Sequence, residues 1–514
     1  MSFFERHVLE SLIYLPMLTA AVLVALPFGW RAAARWLSVG SGLALLVGSL
    51  YVFFVFDRSP DASGAVDGFQ LVRVLPWFDQ LGIDFRLGVD GVATLMVLLT
   101  GIVAFAGTII AANVERETKS YYALLFILIA GVYGTFVSID LFFFFFFYEL
   151  AIVPMYLLIG VWGSSTKFKT FDRPKEYGAM KLVLMIVAAS LLVWVAIIVM
   201  YNEAGLGTFS IPALSEFALS GGEGGGPGFS PEFQRIVFPL VMVGFGLLAG
   251  MWPLHTWSPD GHVAAPTTVS MLHAGVLMKL GAFGIIRVGM LLLPEGMRDW
   301  AMVLFILGTV NVIYGAISAM AQTDLKYVVG YSSVSHMGYV LMGIATMDPV
   351  GITGASLQMF SHGVMTALFF AVVGAIYERT HTRDILVLNG LASRMGWITA
   401  FFVIAGLTSL GLPGLSGFIA ELLVFVGAFR TVPVLGVLGV LGALLTAVYI
   451  LRLVARVFLG ERSSQWDGLS DLTAREGFAM GVLVVPIVLV GVYPGPFLDV
   501  IKPGVDLVLL ALGE

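Results

Sequence analysis

Lys279 stands in HAGVLMKLGAFG, about thirteen residues past Pro266 and therefore ~20 Å along a helix rising 1.5 Å per residue. Ala274, Gly275, Gly281, Ala282 and Gly284 surround it, small residues of the kind that let helices approach closely. Glu149, in LFFFFFFYELAIVPMY, follows six consecutive phenylalanines and precedes Pro154, ~13 Å into its own helix. Glu421 follows the broken stretch GLPGLSG, whose unwound backbone can line a wet cavity. Charges at such depth are costly, so ionisable groups kept there are candidates for handling protons or ions. Where burial and neighbouring charges oppose each other, such a group can exchange a proton near neutral pH.

Lys326 and His336 lie in QTDLKYVVGYSSVSHMG, and His362 lies in QMFSHGVMTALFF, on the next two apolar segments. Taken singly, either histidine reads equally well as a satisfied core residue. With Lys279 and Glu421 they form a polar chain through successive apolar helices, the pattern of a hydrated relay. Lys181, a few residues into its helix, reads first as a side chain that snorkels to the membrane surface. Arg379, His381, Arg383 and Asp384 in YERTHTRDI read as a surface or subunit-contact loop.

These residues are carried by a chain that is 59% hydrophobic and 12% charged, with no cysteine and a net charge of -6, and its mean hydropathy is +0.97. That is the composition of a polytopic, all-α integral membrane protein. It excludes disulfides and thiolate chemistry. No basic patch, phosphate loop or HExxH stands in the chain, so nucleic acid, nucleotide and metalloprotease readings have no support. Spans need about 20 apolar residues, and about fourteen are predicted, including 141–162 (the fifth), 236–251 (the seventh), 263–290 (the eighth), 397–429 (the twelfth) and 478–498 (the fourteenth). The first is expected to be a retained helix, since its flank lacks a basic n-region.

Lys and Arg fall in loops of one parity, at Arg31 and Arg35, Arg116 and Lys119, Lys167 to Lys175, Lys326, Arg379 to Arg394, and Arg462 and Arg475. Those loops are expected to be cytoplasmic, with both termini on the outer side. The Gly-rich stretch 220–228 reads as a flexible tether. The seventh segment ends in GMWPLHTWSPDG and the twelfth contains SLGLPGLSGFIAE, two interrupted helices about five spans apart. Paired interruptions of this kind point to two inverted five-helix repeats with the transport path near the midplane. The expected division is 1–112 (three helices and an outer loop), 113–298 (first repeat), 299–460 (second repeat) and 461–514 (the last helix).

LGVDGV (87–92), FYELAIVPMY (147–156), PLHTWSPDGHVAAPT (253–267), LMKLGAFGIIR (277–287), QTDLKYVVGYSSVSHMG (322–338), YERTHTRDI (377–385) and GLPGLSGFIAE (411–421) closely resemble subunit M of the respiratory NADH:quinone oxidoreductases, complex I. The resemblance covers nearly the whole chain, and the block 322–338 with YERTHTRDI favours subunit M over the related Mrp-type antiporter subunits. It implies a fourteen-helix antiporter-like subunit of an enzyme complex in the bacterial inner membrane. Such a subunit translocates protons beside L-type and N-type neighbours and holds no NADH, flavin, iron–sulfur, quinone or metal site of its own. Glu149, Lys279 and Glu421 correspond to the family's proton-transfer residues on helices five, eight and twelve, with His273, Lys326, His336, His362 and Lys181 as relay candidates. An independent Na+/H+ antiporter of Mrp type and a membrane subunit of a hydrogenase-type complex are the competing classes.

One departure from the family pattern concerns the seventh helix, where a lysine usually pairs with the helix-five glutamate. Leu248 stands at that place here, and the helix contains no lysine. Either another cation pairs with Glu149, with His273 the first candidate and Lys181 the second, or Glu149 is regulated differently. His273 lies six residues before Lys279, and a histidine there could bridge Glu149 to Lys279.

Overall fold

Apolar runs, capped by Asp or Ser and interrupted at Pro and Gly, set the helices in the computed structural model, which describes residues 3–27, 29–59, 67–167, 172–220, 228–461 and 463–513. Lys169, Arg462 and most of the tether at 220–228 lie outside the described residues. The N-terminal part comprises α1 (Phe3–Ala25), α2 (Arg31–Val55), a β-hairpin of β1 (Gln70–Phe78) and β2 (Ile83–Val89), and α3 (Gly91–Ile110). Next come α4 (Thr118–Val137), α5 (Leu141–Trp162), a two-residue ladder of β3 (Thr166–Lys167) with β4 (Asp172–Arg173), α6 (Lys175–Ala204), α7 (Ile211–Ser220), α8 (Pro231–Leu248), α9 (Trp257–Ala264), α10 (Thr267–Leu272) and α11 (Met278–Gly284). The remainder holds α12 (Pro294–Ala321), α13 (Leu325–Ala345), α14 (Pro349–Thr380), α15 (Gly396–Ser409), α16 (Ser416–Thr431), α17 (Pro433–Leu453), α18 (Ala474–Val492) and α19 (Gly495–Ala511).

Among the described residues, twelve helices are long and apolar enough to cross a membrane. His336 and the serines of α13 lower its apolarity and leave it outside that set, and a break divides α15 from α16. Thr267–Met290 is one continuous run in which π-turn segments at His273–Leu277 and Ile285–Met290 flank α11. All of α3 and the central turns of that run and of α14 are buried. Around them α6 and α17 turn Leu184, Leu191, Val195, Val437, Leu441 and Leu444 outward, as a lipid-facing surface requires.

Both breaks fall where they were expected. At the first, Asn311 of α12 replaces the lost helical bonds, its Nδ2 donating to Gly250 O at 2.8 Å and Val334 O at 3.2 Å while its Oδ1 accepts from Trp252 N. At the second, φ is +72° at Gly411 and +92° at Gly414, a left-handed backbone that favours glycine.

Three elements were not foreseen. Residues 70–89, between α2 and α3, fold into the hairpin β1–β2, with Arg73 opposite Leu87 and Leu75 opposite Phe85. This hairpin explains much of the phenylalanine run, since Phe143 meets Phe85 at 5.1 Å and Phe142 meets Trp77 at 5.6 Å. Helix α7 follows α6 before the tether, and the expected last helix 478–498 is two helices. Tyr493 and Pro494 end α18, and α19 then packs on α3 and α14.

The loops assigned to one face by their basic residues do come together. Lys119 donates to the carbonyls of Val24 and Leu26, Arg35 to Val114 O and Arg383 to Thr166 Oγ1, while Arg394 pairs with Asp467. YERTHTRDI is more deeply tied than a surface loop. Arg379 pairs with the buried Glu476 at 2.7 Å, and the buried Arg383 pairs with Asp324 at 3.1 Å. Burial pushes the Asp324 carboxyl above its ordinary range, against the pull of Arg383 and the N–H groups of Lys326 and Tyr327.

Candidate functional site

Lys279 and the residues expected around the second break come together. Lys279 is fully buried, and its Nζ lies 2.9 Å from His362 Nδ1 of α14 while also donating to Ala274 O at the π-turn. The His362 and His336 rings stack with centroids 5.5 Å apart. His336 Nδ1 lies 3.3 Å from Glu421 Oε1, and its Nε2 lies 2.8 Å from Ser409 Oγ, beside the break in the twelfth segment. Gln358 Nε2, one turn before His362, stands 3.3 Å from His336 Nδ1. Lys279, His362, His336 and Glu421 thus form a row of exchangeable groups crossing α11, α14, α13 and α16, all of them buried.

Glycine permits this row. A Cβ at Gly363 would lie 2.6 Å from Gly275 O, so the two helix backbones touch where Lys279 meets His362. A Cβ at Gly281 would lie 2.5 Å from Ala249 N and would also strike Phe245 O, so the lysine's helix runs against the end of α8 beside Leu248. Close crossing through small residues is how membrane helices place polar groups within bonding range.

The first half differs from expectation. His273 does not bridge Glu149 to Lys279. Its ring is held between Trp257, at 5.3 Å, and His262, at 4.1 Å, and neither ring nitrogen has a hydrogen-bond partner among the described residues. His262 continues to Ser258 Oγ, 3.0 Å from Nε2. Its carbonyl accepts from Ser270 Oγ at 2.8 Å, which in turn lies 3.5 Å from Lys326 Nζ. Lys326 also donates to Ala265 O at 2.7 Å, so it belongs with the His262 group.

Lys181 does not simply snorkel, nor does it pair with Glu149. Its Nζ lies 2.8 Å from Asp260 Oδ2 on α9. Glu149 instead stands at the level of Ser190 on α6, whose hydroxyl interacts with its carboxyl and lies 3.4 Å from the Tyr148 hydroxyl. Ser190 is nine residues beyond Lys181, ~13 Å along the helix and farther than a lysine side chain extends. Glu149 Oε1 is buried, and no cationic nitrogen among the described residues is within ion-pairing distance of it. Leu248 is fully buried in the packing around α8.

Asp260, Ser258, Ser409 and Gln358 were missed as site residues. Asp260 had a signal, as an acid inside the interrupted PLHTWSPDGHV, but it was read only as part of a motif.

A bundle of apolar helices with two breaks and an intramembrane row of Lys, His and Glu defines a class, the antiporter-like membrane subunits. The family model described as NADH:quinone oxidoreductase/Mrp antiporter, TM, matches residues 138–446, and the chain belongs to that family. Within it the likeness is to subunit M and its counterpart chain 4. The chain is 37% identical over 496 residues to NAD(P)H-quinone oxidoreductase chain 4 1 of Synechococcus elongatus, covering 95% of this chain and 88% of that one. It is 35% identical over 500 residues to NADH-quinone oxidoreductase subunit M of Pseudomonas aeruginosa, covering 96% of each. Among solved structures, a chain of respiratory complex I from Thermus thermophilus superposes with a TM-score of 0.86 at 27% identity, covering 99% of this chain and 100% of that one. A chain of the Mrp complex from Dietzia shares the fold, with a TM-score of 0.82 at 19% identity over the full length of both chains.

Proposed function

We propose that this chain is the M-type, proton-translocating membrane subunit of a respiratory NADH:quinone oxidoreductase in a bacterial inner membrane. The observation that carries the reading is the buried row Lys279, His362, His336 and Glu421, with contacts of 2.9 Å and 3.3 Å at its two ends and ring stacking at its centre. In an apolar bundle such a row has one evident use, passing a proton between groups whose charges depend on one another. Glu149 receives a proton in the first half, the His262, His273 and Lys326 group relays it, and Glu421 passes it towards the outer face. Residues 113–298 and 299–460 act as the two repeats, both termini lie outside, and L-type and N-type subunits flank the chain. The redox chemistry belongs to other subunits of the enzyme.

The test uses the assembled complex in inverted membrane vesicles, with NADH-driven proton uptake measured against the amount of complex present. Lys279→Ala and Glu421→Gln are each expected to lower uptake by about a hundredfold, the scale of losing a positioned acid or base. Uptake near the unmodified level in both variants overturns the reading. Uptake of Na+ in place of protons would favour the Mrp type.

A further inference from the structure

Asp260 is a buried carboxylate that the route above leaves without a role. Three donors converge on it from three elements. Lys181 of α6 reaches Oδ2 at 2.8 Å, while the Tyr327 hydroxyl of α13, at 2.9 Å, and Arg173 of β4 both reach Oδ1. Lys181 and Arg173 also flank the same Tyr177 ring, each 5.7 Å from its centroid. Tyr331 of α13 and His255, just before α9, are the other titratable groups facing this cluster. Two partly exposed cations therefore share one buried carboxylate, and neutralising it would leave them to repel each other at its mouth.

The same two-turn helix is gripped at its backbone. A Cβ at Gly178 of α6 would lie 2.9 Å from Asp260 O, and one at Gly330 of α13 would lie 3.2 Å from Pro259 Cα. A Cβ at Gly261 would lie 2.9 Å from Leu182 Cδ1 of α6 and 3.1 Å from His273 Cε1. Helix α9 thus joins Asp260 and its cations on one side to Ser258, His262 and His273 on the other. A helix held this closely transmits a change in charge at one face as a displacement at the other.

We propose that Lys181 and Asp260 form the working lysine–carboxylate pair of the first half, in place of the pair that Leu248 denies to Glu149. Asp260 is a positioning residue in this pair. Its charge holds Lys181 and Arg173, fixes α9, and so sets the His262–His273 contact for proton delivery towards Lys279. The inference rests on the proton-translocating reading above.

The experiment measures protons taken up per NADH oxidised, in the same vesicles, for Asp260→Asn, Asp260→Glu, Lys181→Met and the double variant Lys181→Met with Asp260→Asn. Asp260→Asn and Lys181→Met are each expected to lower the ratio by about tenfold, within the range of coupling changes made by single residues. Asp260→Glu is expected to restore most of it. The double variant should be no worse than either single one, since paired residues are non-additive. A normal ratio in Asp260→Asn, or losses that multiply in the double variant, overturns the proposal. Should Asp260→Asn fail to assemble, Lys181→Met leaves the bonds from Arg173 and Tyr327 in place, and a normal ratio there overturns it equally. Lys279→Ala separates the two readings. If it abolishes uptake while the Asp260 and Lys181 variants pump normally, only this inference fails; if it and Glu421→Gln both pump normally as well, the proton-translocating reading fails with it.

Discussion

Lys279 and His362 meet nitrogen to nitrogen at 2.9 Å, on helices whose backbones touch through Gly275 and Gly363. The position of each depends on the absence of a side chain on the other's helix. Gly363→Ala would place a methyl group 2.6 Å from Gly275 O and against Leu99, and the helices must separate to accept it. The expected cost is about 1–3 kcal/mol of stability, as for other overpacked cores. Proton uptake should fall further than that loss alone explains, because the Lys279–His362 distance lengthens. Thermal unfolding of the purified chain together with vesicle uptake checks this, and unchanged uptake in a destabilised Gly363→Ala variant would contradict it.

Asn311 satisfies two backbone groups at the break in the seventh helix, Gly250 O and Trp252 N, and ties them to Val334 O of α13. In Asn311→Leu these buried groups lose their partner, at about 1–3 kcal/mol for each one left unsatisfied. The variant should unfold several degrees lower and become open to protease near 250–253. Equal stability and equal protease resistance would show that the break holds itself.

Arg287 pairs with Asp90 at 2.9 Å, both are 2% exposed, and the guanidinium lies over the rings of Phe69 and Phe283. Arg287→Met leaves Asp90 buried without a counter-charge, which costs about 3–5 kcal/mol. Adding Asp90→Asn should recover a large part of that loss. A double variant no more stable than Arg287→Met would locate the effect in packing on the two rings.

Asp140 joins α4 to α5 and caps α5, its Oδ1 accepting from Phe142 N at 2.9 Å and Phe143 N at 3.1 Å while Oδ2 is buried with no hydrogen-bond partner among the described residues. Burial pushes this carboxyl up to about 7, the N–H groups of Phe143, Asp84 and Phe142 pull it down, and the charge of Asp84 adds a smaller rise. Because the folded chain holds the proton more tightly than the unfolded one, the stability this group contributes is present in acid. It is lost as the pH rises from the ordinary carboxyl range, ~4, to about 7. The chain should lose on the order of a few kcal/mol across that window. Asp140→Asn, which keeps a capping oxygen, should flatten this part of the profile, and unfolding midpoints measured at intervals between pH 4 and 8 decide it.

Most of the apolar helices, both interruptions and the placing of Glu149, Lys279 and Glu421 within such helices were legible in the sequence, since each depends on about 20 consecutive residues or on a local Pro and Gly pattern. About fourteen spans were expected, and twelve helices meet the length and apolarity of a span among the described residues. The resemblance assigned to subunit M was legible too, carried by contiguous motifs. The hairpin β1–β2 had a local signal in the alternation of β2, IDFRLGV, but β1 shows little alternation and the packing partner is the phenylalanine run of α5. The division at Pro494 had a local signal in YPGP, but α19 is held in place by α3 and α14, which are distant in the chain.

Which charges meet was decided by the tertiary structure alone. Lys181 and Asp260 are separated by 79 residues, and Lys279 and His362 by 83. The sequence determined that lysines, histidines and acids would be buried in apolar helices, because hydropathy sums over neighbours along one segment. A pairing depends on how two helices cross, to within an ångström, and that is set by glycines such as Gly178, Gly275 and Gly363 acting against backbones elsewhere in the fold. For the same reason the absence of a lysine at Leu248 could be read directly, while its counterpart, an aspartate on α9 holding a lysine of α6, could be found only in three dimensions.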